Sequence, residues 1–469
     1  MQVIQNIVDA VNGIVWGWPM LIFLVGTHIF LTCRVKFIQA HVFKGIKLTF
    51  AKDTEATGDV HQWGALATAL SATFGTGNIV GVATAVARGG PGAVVWLWVT
   101  GLFGIATKYS EALVAIKYRV RTADGTMLGG PMYALERGVK AKWLGVLFSI
   151  FTAIACFGIG NLVQINAITT NLNFTLNVPN AATGVTLTIL TFFVIVGGIK
   201  TIAKFAQYAQ PIIVPFFFFC CLFLLLYNGP FIGAAFVLIC KSAFSQQAIT
   251  GGIAGYTVVQ ATRFGIARGL FSNEAGLGSS PIAAAAATTR NPVRQGLVSM
   301  SQVFWDTIIL CAVTGTMYVT CVLKWPEQFV TVNDAGGNEL ISGGVFAAQA
   351  FSNIPGGFGP YLLTFCIITF AWTTVLGWGY YGERAVEYLF GKKALMPFKI
   401  IYSLGVFIGS VTALNLVWDI ADMFNAFMAI PNLVSLIALS GVIARVTKEY
   451  LWDKNLDGID KEPIMEVKK

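Results

Sequence analysis

The residues best placed to do chemistry sit in two glycine-rich stretches. The first reads Leu70-Ser-Ala-Thr-Phe-Gly-Thr-Gly-Asn-Ile-Val-Gly81. Gly75, Gly77 and Gly81 each weaken a helix by roughly 1 kcal/mol relative to alanine. Unwinding at Gly75-Thr76-Gly77-Asn78 frees the backbone N–H groups of Thr76 and Gly77 at the start of a second half-helix, where an anion is favoured. An amino-acid carboxylate is a natural guest. Carbonyls freed before the break, from Ser71 and Phe74, suit Na+, a hard cation that takes oxygen ligands. The Asn78 amide oxygen is placed to join them. A plainer reading of Gly77-x-x-x-Gly81 is close helix packing. The stretch also half-matches a dinucleotide fingerprint, but Val80 replaces the third glycine and no strand–helix–strand unit surrounds it.

The second stretch reads Ala267-Arg-Gly-Leu-Phe-Ser-Asn-Glu-Ala-Gly-Leu-Gly-Ser-Ser-Pro281. Gly269, Gly276, Gly278 and Pro281 argue against a continuous helix. It carries Phe271, Ser272 and Glu274 beside the break. A rival break lies at Gly251-Gly252-Ile253-Ala254-Gly255.

Other chemistries find little support. The eight cysteines form no C-x-x-C pair, and the three histidines (His28, His41, His61) lie far from any cysteine cluster. A structural metal, a disulfide framework and a metalloenzyme are therefore disfavoured. No Walker sequence is present, so ATP hydrolysis is not expected. No organic cofactor is implied.

Both stretches must be carried by membrane helices. Of the 469 residues, 56% are apolar and 11% charged, against about 25% charged in a soluble domain. Residues 143–199 and 205–240 contain no Asp, Glu, Lys or Arg. A span needs about 20 apolar residues, which gives eleven candidates near 13–33, 62–87, 92–116, 143–168, 182–199, 208–228, 250–288, 295–322, 358–381, 398–414 and 425–445. The first is not a cleavable signal, because its basic flank (Arg34, Lys36, Lys44, Lys47) follows it. That flank puts the N-terminus outside and the C-terminus in the cytoplasm. Loops 34–61, 117–142, 200–207, 289–294 and 382–397 then fall inside and 169–181, 323–357 and 415–424 outside; these three outer loops hold only Lys324 as a basic residue. The net charge of +9 is thus a topology signal, with no nucleic-acid partner implied.

Eleven spans resolve as one plus five plus five. The organisation expected is an extra N-terminal helix with its basic loop (1–61), a first five-helix repeat (62–230), a second, inverted repeat (231–446) and a cytoplasmic tail (447–469). The two glycine breaks then fall in equivalent helices of opposed repeats, the arrangement of many secondary transporters.

With these residues in place, GTGNIVGVATA in span two, ARGLFSNEAGLGSSPIA in span seven, RQGLVSMSQVFWDT entering span eight and GWGYYGERAVEYLFG after span nine resemble the alanine/glycine:cation symporter family. The resemblance covers nearly the whole chain. It implies an all-α fold of the amino acid–polyamine–organocation and neurotransmitter:sodium symporter type, and Na+-driven uptake of alanine or glycine across a prokaryotic plasma membrane. It places the substrate carboxylate at Thr76 and Gly77, Gln164 at the substrate, and a sodium site between the first and eighth core helices. Phe370, Thr373 and Thr374 share one helix face; with Ser71 and Phe74 they make a five-oxygen set. Helix–helix hydrogen bonding is the other role open to the two threonines. Asn161 and Gln164 are open to an interhelical hydrogen bond as well. Trp372 and Phe271 are candidates to cap the pocket. A proton in place of Na+, and a channel in place of a carrier, remain the rival functions.

Ionisable residues inside spans are functional candidates by default. Lys108 and Glu111 are three apart and most simply pair with each other. Asp306 has three open roles: support of a second cation site, a proton relay, or a pair with Arg263 or Arg268. Glu274 is a candidate gate residue that pairs with a base. Asp419 and Asp422 fall in an outer loop, where solvation is their simplest state.

Overall fold

The structure is a computed structural model describing residues 2–51, 56–245, 257–332, 338–341, 343–412 and 415–467. About 80% of it is helical. The chain opens with α1 (Gln2–Val15) and α2 (Trp18–Arg34), which part at Gly17 with Pro19 in the first turn of α2. A short amphipathic helix, α3 (Val42–Thr49), follows. Next come α4 (Gln62–Thr73), a π-turn at Gly77–Gly81 and α5 (Val82–Gly89). The next helices are α6 (Ala93–Lys117), α7 (Lys142–Leu176), α8 (Asn180–Val196), α9 (Gly198–Tyr227) and α10 (Ile232–Ser242). After them come α11 (Val258–Asn273), α12 (Pro281–Ala284), α13 (Pro292–Lys324), α14 (Gly343–Ser352) and α15 (Gly359–Phe390). The chain closes with α16 (Leu395–Val411), α17 (Asn415–Ala438) and α18 (Ser440–Thr447).

Among the described residues, α7, α9, α13, α15, α16 (with the turn from Lys392 before it) and α17 supply spans long and apolar enough to cross a membrane; up to eight count if α1–α2 and α4–α5 are each one bent span. The outer faces of α8, α9 and α16 expose Ile189, Phe193, Phe219, Phe223, Ile401 and Leu404. Such a belt is stable only against lipid. Inside, the helices form two neighbourhoods. In one, α6 packs on α11 and α13, with α5 on α11; in the other, α7 packs on α15 and α8 on α16, while α4 bridges to α9 and α15.

Both helix breaks have local causes. The helix beginning at Gln62 bends by 50° where α4 gives way to Gly77–Gly89, with Phe74 leaving helical conformation at ψ 88°. The helix of span seven ends at Asn273, and Glu274, Gly276 and Gly278 take positive φ (57°, 98° and 82°). Glycine avoids the Cβ penalty at two of the three, and Pro281 restarts the helix where its missing N–H is harmless. The rival break at 251–255 lies outside the described residues.

Several boundaries differ from the sequence reading: α7 runs on to Leu176, into the expected loop 169–181, and the expected loop 323–357 holds α14. Residues 200–207 belong to α9, and the turn before it is made at Gly197–Gly198, with Gly198 at φ 66°. Residues 382–390 continue α15 instead of forming a loop. Arg384 there bonds Glu383 and lies 2.7 Å from Glu387, while Lys399 reaches Glu383 at 3.5 Å. Neutralised by its own neighbours, a charged helical turn can remain helical and buried. The last span starts earlier than residue 425, and α18 completes the stretch after a break at Leu439. Asp419 and Asp422 therefore sit on a helix and are not loop residues. Arg268 pairs with Asp422 at 2.9 Å, and Gln5 donates to Asp419 at 2.8 Å.

Candidate substrate and cation site

The bend between α4 and the Gly77–Gly81 turn brings the first set of oxygens together. The Thr374 hydroxyl on α15 lies 3.1 Å from the Ser71 carbonyl, 3.2 Å from that of Phe74 and 3.0 Å from that of Phe370. The Thr373 hydroxyl lies 2.9 Å from the Phe370 carbonyl. All five residues of the expected cation set thus meet. One hydroxyl has one proton, so Thr374 can satisfy only one of three carbonyls at a time. The surplus lone pairs converge where a small hard cation is favoured. Phe74, Phe217 and Phe370 close one side: Phe370 stacks on Phe74 at 6.0 Å and meets Phe217 edge-on at 5.2 Å.

The second set lies on the other side of the bend. Thr76 N–H donates to Gln164 Oε1 (3.2 Å), and Gly75 N–H donates to Asn78 Oδ1 (3.2 Å). The Asn78 oxygen therefore holds the bend and does not turn toward the carbonyls of Ser71 and Phe74. Its amide group donates to Asp306 Oδ1 (2.7 Å) and Ser272 Oγ (3.0 Å). Ser272 and Thr307 donate to Asp306 Oδ2, each at 2.8 Å. The Thr76 hydroxyl is buried with no hydrogen-bond partner among the described residues. Gly77 faces Phe271: a Cβ at Gly77 would stand 3.1 Å from the Phe271 ring and 3.2 Å from the Ser272 Cα. Thr76, Gly77, Asn78, Gln164, Phe271, Ser272 and Asp306 form one neighbourhood. Gly75 is the wall between the two sets, since its Cβ would lie 2.4 Å from the Thr374 hydroxyl and 3.2 Å from Gln164 Oε1.

Some expected members are elsewhere. Trp372 turns away: its indole donates to Thr191 at 3.0 Å and its ring meets Phe205 at 5.2 Å. Trp372 stands two positions before Thr374, about 200° round the helix from it, so Thr374 facing the site carries Trp372 off it. Asn161 ties α7 to α16 by donating to the Tyr402 carbonyl at 2.7 Å. Asp306 pairs with neither arginine, because Arg268 is taken by Asp422 and Arg263 lies over Phe264. Glu274 is in no ion pair among the described residues. Its carboxylate accepts from Ser279 at 2.6 Å, and its backbone carbonyl accepts from Lys108 at 2.9 Å.

Lys108 and Glu111 do pair, at 3.4 Å, but they also hold the unwound segment after α11. Glu111 Oε1 accepts from the N–H groups of Gly276 (3.0 Å) and Gly278 (3.1 Å) and from Asn432 (2.7 Å). Lys108 donates to Ser280 at 2.6 Å. Sequence reasoning missed Glu111, Asn432 and Gln210 as supports. Gln210 donates to the Ser71 hydroxyl at 2.9 Å. Its one signal was a glutamine inside the uncharged run 205–240.

A cavity of about 750 Å³ lies beside the bend, lined by Val80, Thr84, Val163, Ala167, Arg268 and Trp418, among others. Between it and the bend, Phe271 stacks on Trp418 at 5.8 Å while the Arg268 guanidinium lies 5.4 Å from the Phe271 ring centre. Ahead of α4, backbone pairing ties residues 57–60 to the segment that follows α12. Asp59 N–H donates to the Ala286 carbonyl (2.8 Å), and Thr288 N–H donates to that of Val60 (2.8 Å). Arg119 clips this seam through Ala287 O (2.8 Å), Ala285 O (3.2 Å) and Thr57 O (3.0 Å). Burial pushes the Asp59 carboxyl above its ordinary range, against the pull of the Met127 N–H and nearby cations. Arg119→Gln is expected to speed backbone amide exchange at 57–60 and 285–289 by roughly tenfold or more, because a guanidinium bonded to three carbonyls is lost. Unchanged protection would remove Arg119 from the seam.

Two glycine-broken helices, an oxygen-rich bend and a cavity beside it belong to a multi-pass membrane transporter. The comparisons with known proteins agree. The sodium:alanine symporter family model matches residues 1–464, and the chain belongs to that family. It is a transporter and not an enzyme. It is 45% identical over 452 residues to the sodium/alanine symporter AgcS of Methanococcus maripaludis, covering 95% of this chain and 97% of that one. It is 32% identical over 466 residues to the amino-acid carrier protein AlsT of Bacillus subtilis, covering 99% and 95%. In fold it is similar to the crystal structure of MhsT in complex with L-phenylalanine, with a TM-score of 0.56, 13% identity and coverage of 86% and 94%.

Proposed function

We propose that the chain couples Na+ entry to uptake of a small neutral amino acid, alanine or glycine, by alternating access. The observation that carries this reading is Gly75. It separates the Thr374-centred oxygens from the Thr76–Gln164 contact. An ion drawn into the first set stiffens the same bend that presents Thr76 and Gly77 to a carboxylate. Binding of either then favours the other, and the coupling must be reciprocal. The relative AgcS is named a sodium/alanine symporter, which supports both the ion and the substrate class. The topology we propose is eleven spans, an extra helix followed by inverted five-helix repeats. The N-terminus is outside, and the 750 Å³ cavity faces out from a plasma membrane. The Arg119 seam is then the closed inner mouth.

Asp306 is the second cation position in this reading. Around the two breaks, among the described residues, three buried carboxyl groups (Glu111, Glu274, Asp306) stand against one buried ammonium, that of Lys108, a balance that favours a cation. Proton coupling is the alternative, favoured only by the same Asp306. Asp306→Asn separates the two. Its amide would turn an NH2 group toward the Asn78 NH2 group or toward the Ser272 and Thr307 hydroxyls, so alanine affinity is expected to fall about tenfold or more. Under Na+ coupling, uptake retains an absolute need for Na+. If the variant instead lost pH dependence and ran without Na+, proton coupling would be correct.

The decisive experiment is uptake of labelled alanine and glycine into proteoliposomes under imposed Na+, H+ or no gradient. Concentrative, saturable uptake with the Na+ gradient alone is the expected result. Uptake that never exceeds equilibration under any gradient would mean a channel.

A further inference from the structure

We infer that the segment following α2, residues 34–51, is a binding site for anionic phospholipid. The sequence there carries Arg34, Lys36, Lys44 and Lys47 and no carboxylate. Among the described residues none of the four is in a salt bridge, and all four are exposed. The segment is firmly held by its other face. Ile38, Val42, Gly45 and Thr49 are buried at helical spacing. Gly45 lies so close to α13 that a Cβ there would stand 2.0 Å from the Leu297 carbonyl. Gln39 donates to the Thr32 hydroxyl at 2.8 Å, and His41 meets Trp452 edge-on at 5.1 Å.

The free face mixes cations with large aromatics. Phe37, Phe43 and Phe50 are 62%, 71% and 67% exposed. Phe43, Lys47 and Phe50 follow i, i+4, i+7 spacing, so they line one side of α3, with the lysine between two rings. That pattern suits the boundary between acyl chains and headgroups, where rings enter the apolar layer and lysine heads reach out of it.

Continuity with the lipid-facing belt identifies the occupant. Ile22, Ile29 and Phe30 are exposed along α2 and lead to Arg34. On the other flank Phe43 meets Phe304 of α13 edge-on at 5.6 Å, next to the exposed Trp305. The aromatics thus extend the surface that already faces lipid, and the unpaired cations stand at its edge. A soluble protein partner would have to reach below the headgroups to cover them. Anionic headgroups supply the missing countercharge. Because Gly45 is locked onto α13, the helix that carries Asp306, bound lipid would tether that helix.

The test is native mass spectrometry of the detergent-solubilised full chain with phosphatidylglycerol and phosphatidylcholine supplied equally. The expected result is preferential retention of phosphatidylglycerol by the wild type. In R34Q/K36Q/K44Q/K47Q the preference should fall roughly tenfold or more, whereas K44R/K47R should keep it. Equal retention of both lipids by the wild type would overturn the inference, as would an unchanged preference in the quadruple variant. Displacement of the lipid by millimolar glycerol 1-phosphate would point to a free phosphate site instead and would also overturn it. The readout is independent of transport, so it stands whether or not the chain is sodium-coupled.

Discussion

Gly75→Ala is expected to cut alanine uptake by at least about a hundredfold while the protein still purifies as a folded, monodisperse species. The added methyl would lie 2.4 Å from the Thr374 hydroxyl and 3.2 Å from Gln164 Oε1. Neither neighbour can yield freely. Thr374 is held among three carbonyls, and Gln164 also donates to the Ile159 carbonyl at 3.0 Å. Overpacking of this kind destabilises by about 1–3 kcal/mol, and here the strain falls on both binding elements. A helix that merely lost a glycine would be stabilised by roughly 1 kcal/mol. The sign therefore discriminates: a thermal melt at or above the wild type with normal uptake would mean that Gly75 serves packing only. Sodium affinity and alanine affinity should fall together, since the methyl intrudes on both sets.

Thr374→Val should separate them. Valine keeps the shape and removes the hydroxyl, so the carbonyls of Ser71, Phe74 and Phe370 lose their common partner. The expected result is a rise of roughly 10–100-fold in the Na+ concentration for half-maximal uptake, from a loss of about 1.4–3 kcal/mol. Uptake at saturating Na+ should recover substantially, and Thr374→Ser should behave nearly as the wild type. Unchanged sodium dependence in Thr374→Val would remove the residue from the ion site. Thr373→Ala is expected to act in the same direction but less strongly. Its hydroxyl meets one of the three carbonyls, that of Phe370.

Much of the polar centre was legible because membranes punish irregularity. In a chain with uncharged runs such as 143–199, a glycine cluster flanked by Thr and Asn is conspicuous, and backbone freed in an apolar layer must find partners. That logic located both breaks, and the structure shows Asn78 and Gln164 filling the role of partners at the first. The five-oxygen set rested on the family resemblance, which implied a cation site between the first and eighth core helices; helix periodicity then put Thr373 and Thr374 on one face. The same periodicity, applied strictly, would have removed Trp372 from the pocket, because it stands two positions, about 200°, from Thr374.

Pairings between distant segments were less legible. Asp419 and Asp422 looked like loop residues because charges normally end a span. The structure keeps Asp422 on α17 beside Arg268, 154 residues away, where each charge offsets the burial of the other. Lys108 and Glu111 were read as a self-contained pair. Their spacing suggested it, and nothing local revealed that Gly276 and Gly278 would bring backbone donors to the same carboxylate. Asp306 had three roles open to it until the chain placed Ser272 and Asn78 against it and sent Arg268 elsewhere.

The amino-acid sequence by itself determined that the protein lies in a membrane, where its helices must break, and which oxygen-bearing residues the breaks expose. Composition, charge placement and backbone propensity act locally, so one chain read in order suffices for them. Only the tertiary structure decided which charges meet and which aromatic faces the bend. It also decided which segments Arg119 joins, across a seam of carbonyls. Those depend on contacts between segments a hundred residues or more apart, where a single helical step of 100° decides whether a side chain enters the site or faces away.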